Sequence, residues 1–148
     1  MKIIYREGDL LQSGMARIAH GCNSQRVMGS GIALAIKQKY PYAFYTYMCS
    51  SMELGTVNAA VTGRINDPVI FNCITQEFFG RDKNRVYCDY NAIRKCIQTI
   101  NLIMKDIDNG GRVGFPKIGA GLANGDWSVI EKIIEEESTN FQPVVYTL

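Results

Sequence analysis

Two Gly-x-Gly turns, Gly29-Ser30-Gly31 and Gly119-Ala120-Gly121, are the parts of this sequence best suited to hold a charged ligand. Each sits between an apolar run of strand character and a segment with helical spacing. Such a turn leaves backbone N–H groups unpaired at a helix N-terminus, where the helix dipole also favours negative charge. One turn alone is weak evidence, because glycine serves wherever a chain bends tightly. Two of them within 148 residues point to a ligand with two phosphates, or to one diphosphate gripped from both sides. Neither turn runs on into Gly-Lys-Ser/Thr, which excludes a Walker A loop. A dinucleotide fingerprint also fails. Its third small position is Leu34 after the first turn and Asn124 after the second, and Glu53 is the only acidic residue near the expected ribose-binding distance.

Several polar residues stand close to these turns. His20, the only histidine, ends a short strand three residues before Asn23. An imidazole there is either a general acid or base, or a group satisfied by backbone at a strand end. Asn23 is suited to bind sugar hydroxyls or simply to start the turn. Asp9 follows Gly8. It reads either as an acceptor for an exocyclic amine such as that of adenine, or as a helix cap, since Gln12 completes a capping box. Cys22 has no second histidine to activate it and reads as a small packed hydrophobe. Tyr146 reads as a core or rim aromatic, or as a flank for a base.

The elements that must position these residues alternate. Strands are expected over Lys2 to Arg6, Ala16 to Cys22, Thr56 to Thr62, Pro68 to Thr75, Arg112 to Phe115 and Pro143 to Leu148. Helices are expected over Gly31 to Tyr40, Tyr42 to Met52, Asn91 to Ile107 (stopped by Asn109-Gly110-Gly111), and onward from the N-cap residue Asp126. The middle pair of strands reads as a hairpin, so the expected architecture is α/β with a mixed sheet, and ligands in such sheets bind beyond the carboxyl ends of the strands. Hydrophobic content of 47% and a net charge of +2 fit a soluble globular chain and exclude nucleic-acid binding by bulk charge alone. Arg81, Lys83 and Arg85 form a local basic cluster in a loop, either solvated or a rim for an anionic substrate. The five cysteines lack Cys-x-x-Cys spacing, so reduced thiols and no metal site are expected, in a cytoplasmic chain without signal peptide or membrane span.

Taken together, Gly8-Asp9-Leu10-Leu11, Ala19-His20-Gly21-Cys22-Asn23, Met28-Gly29-Ser30-Gly31-Ile32-Ala33, Pro116-Lys117-Ile118-Gly119-Ala120-Gly121-Leu122 and Val145-Tyr146-Thr147-Leu148 resemble a macrodomain. The likeness runs in order through essentially the whole chain. It is nearest to small stand-alone macrodomains, namely ADP-ribose 1″-phosphate phosphatases and the branch that removes ADP-ribose from glutamate. It implies a three-layer α/β/α fold with a central mixed sheet, one domain over residues 1–148, acting as a monomer on ADP-ribose or ADP-ribose 1″-phosphate. ADP-ribosylated protein or nucleic acid is the larger partner it allows.

The resemblance also implies roles. Asp9 would accept from the adenine amine, with Leu10 beside it and Tyr146 and Leu148 near the same end. Met28, Gly29, Ser30, Gly31 and Ile32 would wrap the diphosphate from one side, and Lys117, Ile118, Gly119, Ala120, Gly121, Leu122 and Ala123 from the other. Asn23 would face the distal ribose, near Thr75 and Gln76. Two departures stand out. The glutamate-specific branch carries a lysine where this chain has Gln76, and an aspartate where it has Ala123. The phosphatase branch carries a histidine at the place of His20. The expected activity is that of a metal-independent hydrolase needing no cofactor, an ADP-ribose 1″-phosphate phosphatase, with His20 and Asn23 catalytic. The alternatives are a non-catalytic ADP-ribose module and a hydrolase that frees ADP-ribose from protein or DNA.

Overall fold

The computed structural model of the chain describes residues 1–107 and 111–148. Its elements are β1 (Ile4–Glu7), a 3-10 turn (Leu10–Gln12), β2 (Arg17–Asn23), α1 (Gly31–Lys39), α2 (Pro41–Met48), β3 (Val57–Ala60), β4 (Val69–Gln76), α3 (Tyr90–Met104), β5 (Arg112–Phe115), α4 (Trp127–Glu137) and β6 (Gln142–Thr147). The strands form one sheet in the order β1-β6-β5-β2-β4-β3. Every pairing is parallel except that of β3 with β4. The carboxyl ends of β1, β6, β5, β2 and β4 therefore share one edge of the sheet, where crevices form in α/β folds.

Helices cover both faces, as the near-continuous apolar run of β4 requires. On one face Ile93, Cys96, Ile97 and Ile100 of α3 and Ile130, Ile133 and Ile134 of α4 pack on Ala19, Phe71, Cys73 and Phe115. On the other, Ile36 of α1 and Ala43 and Tyr47 of α2 cover Ile18, Ile70, Cys22 and Ile74 in two adjoining clusters. The expected three-layer α/β/α arrangement is present. No helix among the described residues is long and apolar enough to cross a membrane.

Boundaries moved where capping chemistry outranked periodicity. Helix α3 starts at Tyr90 rather than Asn91, because the Asp89 carboxylate accepts from Ala92 N at 3.0 Å. It ends at Met104, three residues before Ile107. Part of the expected Asn109-Gly110-Gly111 stop lies outside the described residues. Helix α2 starts on Pro41, whose fixed φ suits a first helical position, and ends at Met48 rather than Met52. Asp9 does act as a cap, accepting from Leu11 N at 2.9 Å. Asp126 caps α4 through Ser128 N.

The Asp89 cap also ties α3 to the sheet, because its own N–H donates to Thr75 O at 2.8 Å. Asp89→Ala keeps that bond and loses the side-chain acceptor. A stability loss of about 1 kcal/mol is expected, read as a lower denaturant midpoint with an unchanged slope.

Candidate functional site

The first glycine turn connects β2 to α1. Ser30 is extended (φ −157°, ψ 166°), offers no side-chain cap, and its carbonyl accepts the first helical bond from Leu34 N at 3.3 Å. The N–H groups of residues 29–33 find no acceptor among the described residues. Gly31 has φ +59°, the left-handed region that disfavours a side chain. The second turn follows β5 and Pro116. It closes through Ala120 N to Lys117 O at 3.1 Å and Gly125 N to Gly119 O at 2.7 Å. The N–H groups of Gly119, Gly121, Leu122 and Ala123 remain uncommitted among the described residues. Leu122 Cδ1 lies 3.5 Å from where a Cβ on Gly31 would stand, so the two turns face each other.

Between them is a cleft of about 610 Å³ at the carboxyl edge of the sheet. Gly21, Cys22 and Asn23 of β2 and Gln76 of β4 line it, with Pro116, Lys117 and Ile118 from the end of β5. Gly29, Ser30, Gly31, Ile32 and Ala33 line one side; Gly119, Gly121, Leu122 and Ala123 line the other. Val27, Phe79, Gly80 and Arg81 complete it. Of these, Arg81 was legible from sequence as a rim cation. Val27 and Phe79 were not. Exposed apolar side chains in loops carry no periodic signal, although their exposure here (38% and 51%) sets them apart from the core.

Asn23 lines the cleft but is heavily engaged. Its Nδ2 donates to Val27 O at 2.8 Å and its Oδ1 accepts from Gln25 N at 2.9 Å. The Tyr47 hydroxyl donates to Asn23 O at 2.6 Å and accepts from Val27 N at 3.1 Å. Burial pushes the Tyr47 phenol up to about 12, which keeps it a donor. One N–H of the Asn23 amide is left for a ligand. Tyr47, which bonds to the backbone at Asn23 and Val27, is a contact that sequence reading missed, since an aromatic in a helix reads as core.

Gln76 also spends one donor internally, on Phe78 O at 2.8 Å. Thr75 lies under the floor. Its hydroxyl is buried without a partner among the described residues, and a Cβ on Gly21 would stand 2.7 Å from it. Gly21 is thus held to glycine by the close approach of β4.

Other expected site residues lie elsewhere. Met28 is buried with Tyr47 and Ile74 beneath the first turn, and Leu10 packs into the core, its Cδ1 2.8 Å from where a Cβ on Gly114 would be. Asp9, Tyr146 and Leu148 sit at the carboxyl ends of β1 and β6, on the same edge but beyond the lining of the cleft. Ala120 belongs to the second turn without lining the cleft.

His20 requires the main correction. It is fully buried and does not line the cleft. Alternation along β2 turns it toward α2, where its Nε2 is 2.6 Å from Asn72 Oδ1. Asn72 Nδ2 in turn donates to Ala43 O at 3.0 Å and Asn58 Oδ1 at 2.8 Å. Burial lowers the imidazole from 6.5 to about 4, partly opposed by the Asn72 bond. The ring also lies 3.6 Å from Sγ of Cys22, the lining residue that separates it from the cleft. Because the folded value lies below the unfolded one, the unfolded chain binds more protons between about pH 6.5 and 4. This stability is complete above the upper value and is lost as pH falls through that window, by at most roughly 3 kcal/mol. Denaturant melts at pH 7 and 4.5 should show the loss, and His20→Gln should flatten it.

The geometry is now matched by relatives. A family model described as Macro domain matches residues 19–134. An ADP-ribose 1″-phosphate phosphatase of Scheffersomyces stipitis is 27% identical over 171 residues, covering 97% of this chain and 99% of that protein. A DNA ADP-ribosyl glycohydrolase of Mycobacterium tuberculosis is 29% identical over 137 residues, covering 88% of this chain. The match spans only 37% of the length of that protein. A solved structure of a protein of unknown function from Bacteroides thetaiotaomicron superposes with a TM-score of 0.85 at 30% identity, covering 100% of this chain and 99% of that one. With the expected fold in place and the cleft framed by the expected turns, the chain belongs to the Macro domain family.

Proposed function

We propose that the cleft binds ADP-ribose, with the diphosphate between the two glycine turns and the distal ribose toward Asn23 and Gln76. The observation that carries this reading is the pair of opposed turns, whose N–H groups have no acceptor among the described residues. Donors of this kind suit a dispersed anion better than one cation would, because each N–H meets a separate oxygen. Adenine would then extend toward the carboxyl ends of β1 and β6. There the second carboxylate oxygen of Asp9 makes no bond among the described residues, and Tyr146 is half-buried beside β1.

Hydrolysis at the distal ribose is the accompanying activity, supported by the names of both relatives. The ionisable groups that line the cleft are Cys22, Lys117 and Arg81. Burial raises the Cys22 thiol far above its ordinary value, so it stays protonated. With His20 outside the cleft, no side chain of the lining is a base near neutral pH. A 1″-phosphate would supply its own base, since its second ionisation lies near pH 6. In this route a water oxygen bonds to phosphorus and the bond from phosphorus to the ribose oxygen breaks. The proton released by water passes through the phosphate to the departing ribose oxygen. The backbone N–H groups stabilise the charge that develops. Binding without chemistry is the second reading. It is favoured by Gln76 and Ala123 standing where the resemblance leads one to expect lysine and aspartate.

Gly121 is the best probe of the cleft. A side chain there meets nothing within 4 Å, and its φ is not in the left-handed region. Gly31→Glu would add backbone strain to any lost contact. Calorimetry should give submillimolar ADP-ribose binding for the wild type. Gly121→Glu should weaken it at least about a hundredfold by bulk and like charge, with the melting temperature held. Normal binding by Gly121→Glu, or no binding by the wild type, would sink the reading. Release of inorganic phosphate from ADP-ribose 1″-phosphate then separates hydrolase from binding module, and its rate should be the same in folded His20→Gln.

A further inference from the structure

Strand β4 carries an extra residue against β2 at the cleft end. Ile74 pairs with Cys22 and Gln76 with Asn23, so Thr75 is the unpaired residue of a bulge. Bulges are uncommon between parallel strands, and they serve to re-aim a side chain near a site. The backbone on either side of this one is well tied. Thr75 O accepts from Asp89 N at 2.8 Å, and Gln76 O accepts from Ser24 N at 2.9 Å. Thr75 is therefore fixed in place, yet its hydroxyl has nothing to bond among the described residues.

That hydroxyl stands apart from the other buried polar groups. The side chains of His20, Asn23, Asn72 and Ser138 are buried too, and each is hydrogen-bonded. A polar group withdrawn from water without a partner lowers stability, so its retention calls for a cause. Asn58 Nδ2 is also unpaired, but Asn58 lies on edge strand β3 and its Oδ1 is engaged by Asn72. Thr75 Oγ1 instead adjoins the cleft. A Cβ on Gly21 would stand 2.7 Å from it, and Cγ1 of Ile118 is 3.4 Å from the same point. Gly21 and Ile118 both line the cleft. The φ of Gly21 is not in the left-handed region, so space above Thr75, and not backbone strain, is what glycine provides there.

We propose that the Thr75 hydroxyl is held unpaired in the free protein so that a hydroxyl of the distal ribose completes it, which makes Thr75 a specificity-determining residue of the cleft. The sugar hydroxyl enters over the bare Cα of Gly21 as the Ile118 side chain turns aside. The inference rests on the reading of the cleft as an ADP-ribose site. A sugar hydroxyl is the partner whose chemistry fits. The Thr75 hydroxyl both donates and accepts, and so does a hydroxyl of ribose. A phosphate oxygen at this depth would bring charge out of water to meet one neutral group, whereas the backbone N–H groups of the turns serve it better. A buried group that only the right ligand satisfies discriminates strongly, because a ligand lacking the hydroxyl leaves it unpaired.

The test is calorimetry with ADP-ribose and with ADP, which lacks the distal ribose, beside thermal melts of the ligand-free protein. The wild type should prefer ADP-ribose at least about fivefold. Thr75→Val keeps the shape of the side chain and removes the hydroxyl. It should lose that preference through weaker ADP-ribose binding, with ADP affinity unchanged. Its ligand-free melting temperature should be equal or higher, because an unpaired buried group has gone. Thr75→Ser keeps the hydroxyl and gives up a buried methyl, so it should melt lower and retain the preference. A preference that survives in Thr75→Val, or is lost equally in folded Thr75→Ser, overturns the proposal. So does a wild type that binds ADP as tightly as ADP-ribose. A lowered melting temperature in Thr75→Val also overturns it, since the hydroxyl would then be paired in the free protein. No binding of either ligand by the wild type overturns the cleft reading instead.

Discussion

Backbone N–H groups left without acceptors among the described residues, on two facing turns, are the constraint around which the rest of this structure is organised. Such groups would gain by folding back on their own loops, and a diphosphate can use them only if they are kept apart and aimed inward. On one side the Asn23 amide and the Tyr47 hydroxyl bond to the backbone of residues 23–27, so the chain enters the first turn in a single path. On the other, the bond from Gly125 N to Gly119 O closes the second loop on itself, while Ile93 and Ile130 pack beneath it. The separation between the turns is set by β5 and β2, which are adjacent and parallel. A rigid sheet therefore fixes what the loops alone could not.

The network of His20, Asn72 and Asn58 ties a residue expected at the site to the sheet instead. Although Asn58 Nδ2 is buried without a partner among the described residues, the network supports the β2–β4 register, since a slip by one residue would turn His20 to the opposite face and away from Asn72. The histidine lies in a sequence segment next to the cleft, yet its ring is buried against Asn72 and Cys22 rather than in the lining. Proximity along the chain and proximity in space part company here over a single residue, because Gly21 lines the cleft and His20 does not.

Local rules explain what could be read beforehand. Glycine turns, the apolar rhythm of α3 and the N-cap at Asp126 depend on neighbours a few positions away, and each was visible in the sequence. The β3–β4 hairpin was visible because its two runs are separated by polar turn residues. Long-range partners were not visible. Nothing near His20 announces Asn72, and nothing near Asn23 announces Tyr47, 24 residues further on. The cap at Asp89 was overlooked because the apolar rhythm starts later than the helix does. Met28 and Leu10, which the resemblance puts at the ligand, are both buried under the layers that close over the sheet.

A cleft that grips its ligand through backbone groups selects by shape and charge, and it does so with little dependence on side-chain identity. That allows related macrodomains to keep one ligand while their chemistry diverges, because the reacting end is served by a handful of replaceable side chains. Here those positions carry Asn23, Gln76 and Ala123, two amides already partly spent on their own loops and one methyl group. Such a set can orient a distal ribose but cannot supply or accept a proton. Discrimination among substrates must then come from what lies past the ribose. On the proposed reading that region is the segment bearing Phe79 and Arg81, which is tied to the second glycine loop through Asn124. On the same reading, the loop beside the diphosphate and the surface nearest the attached group are one mechanical unit. A partner that shifts the segment would shift the N–H donors with it, so binding of the attached group and binding of the diphosphate are expected to be thermodynamically coupled rather than independent.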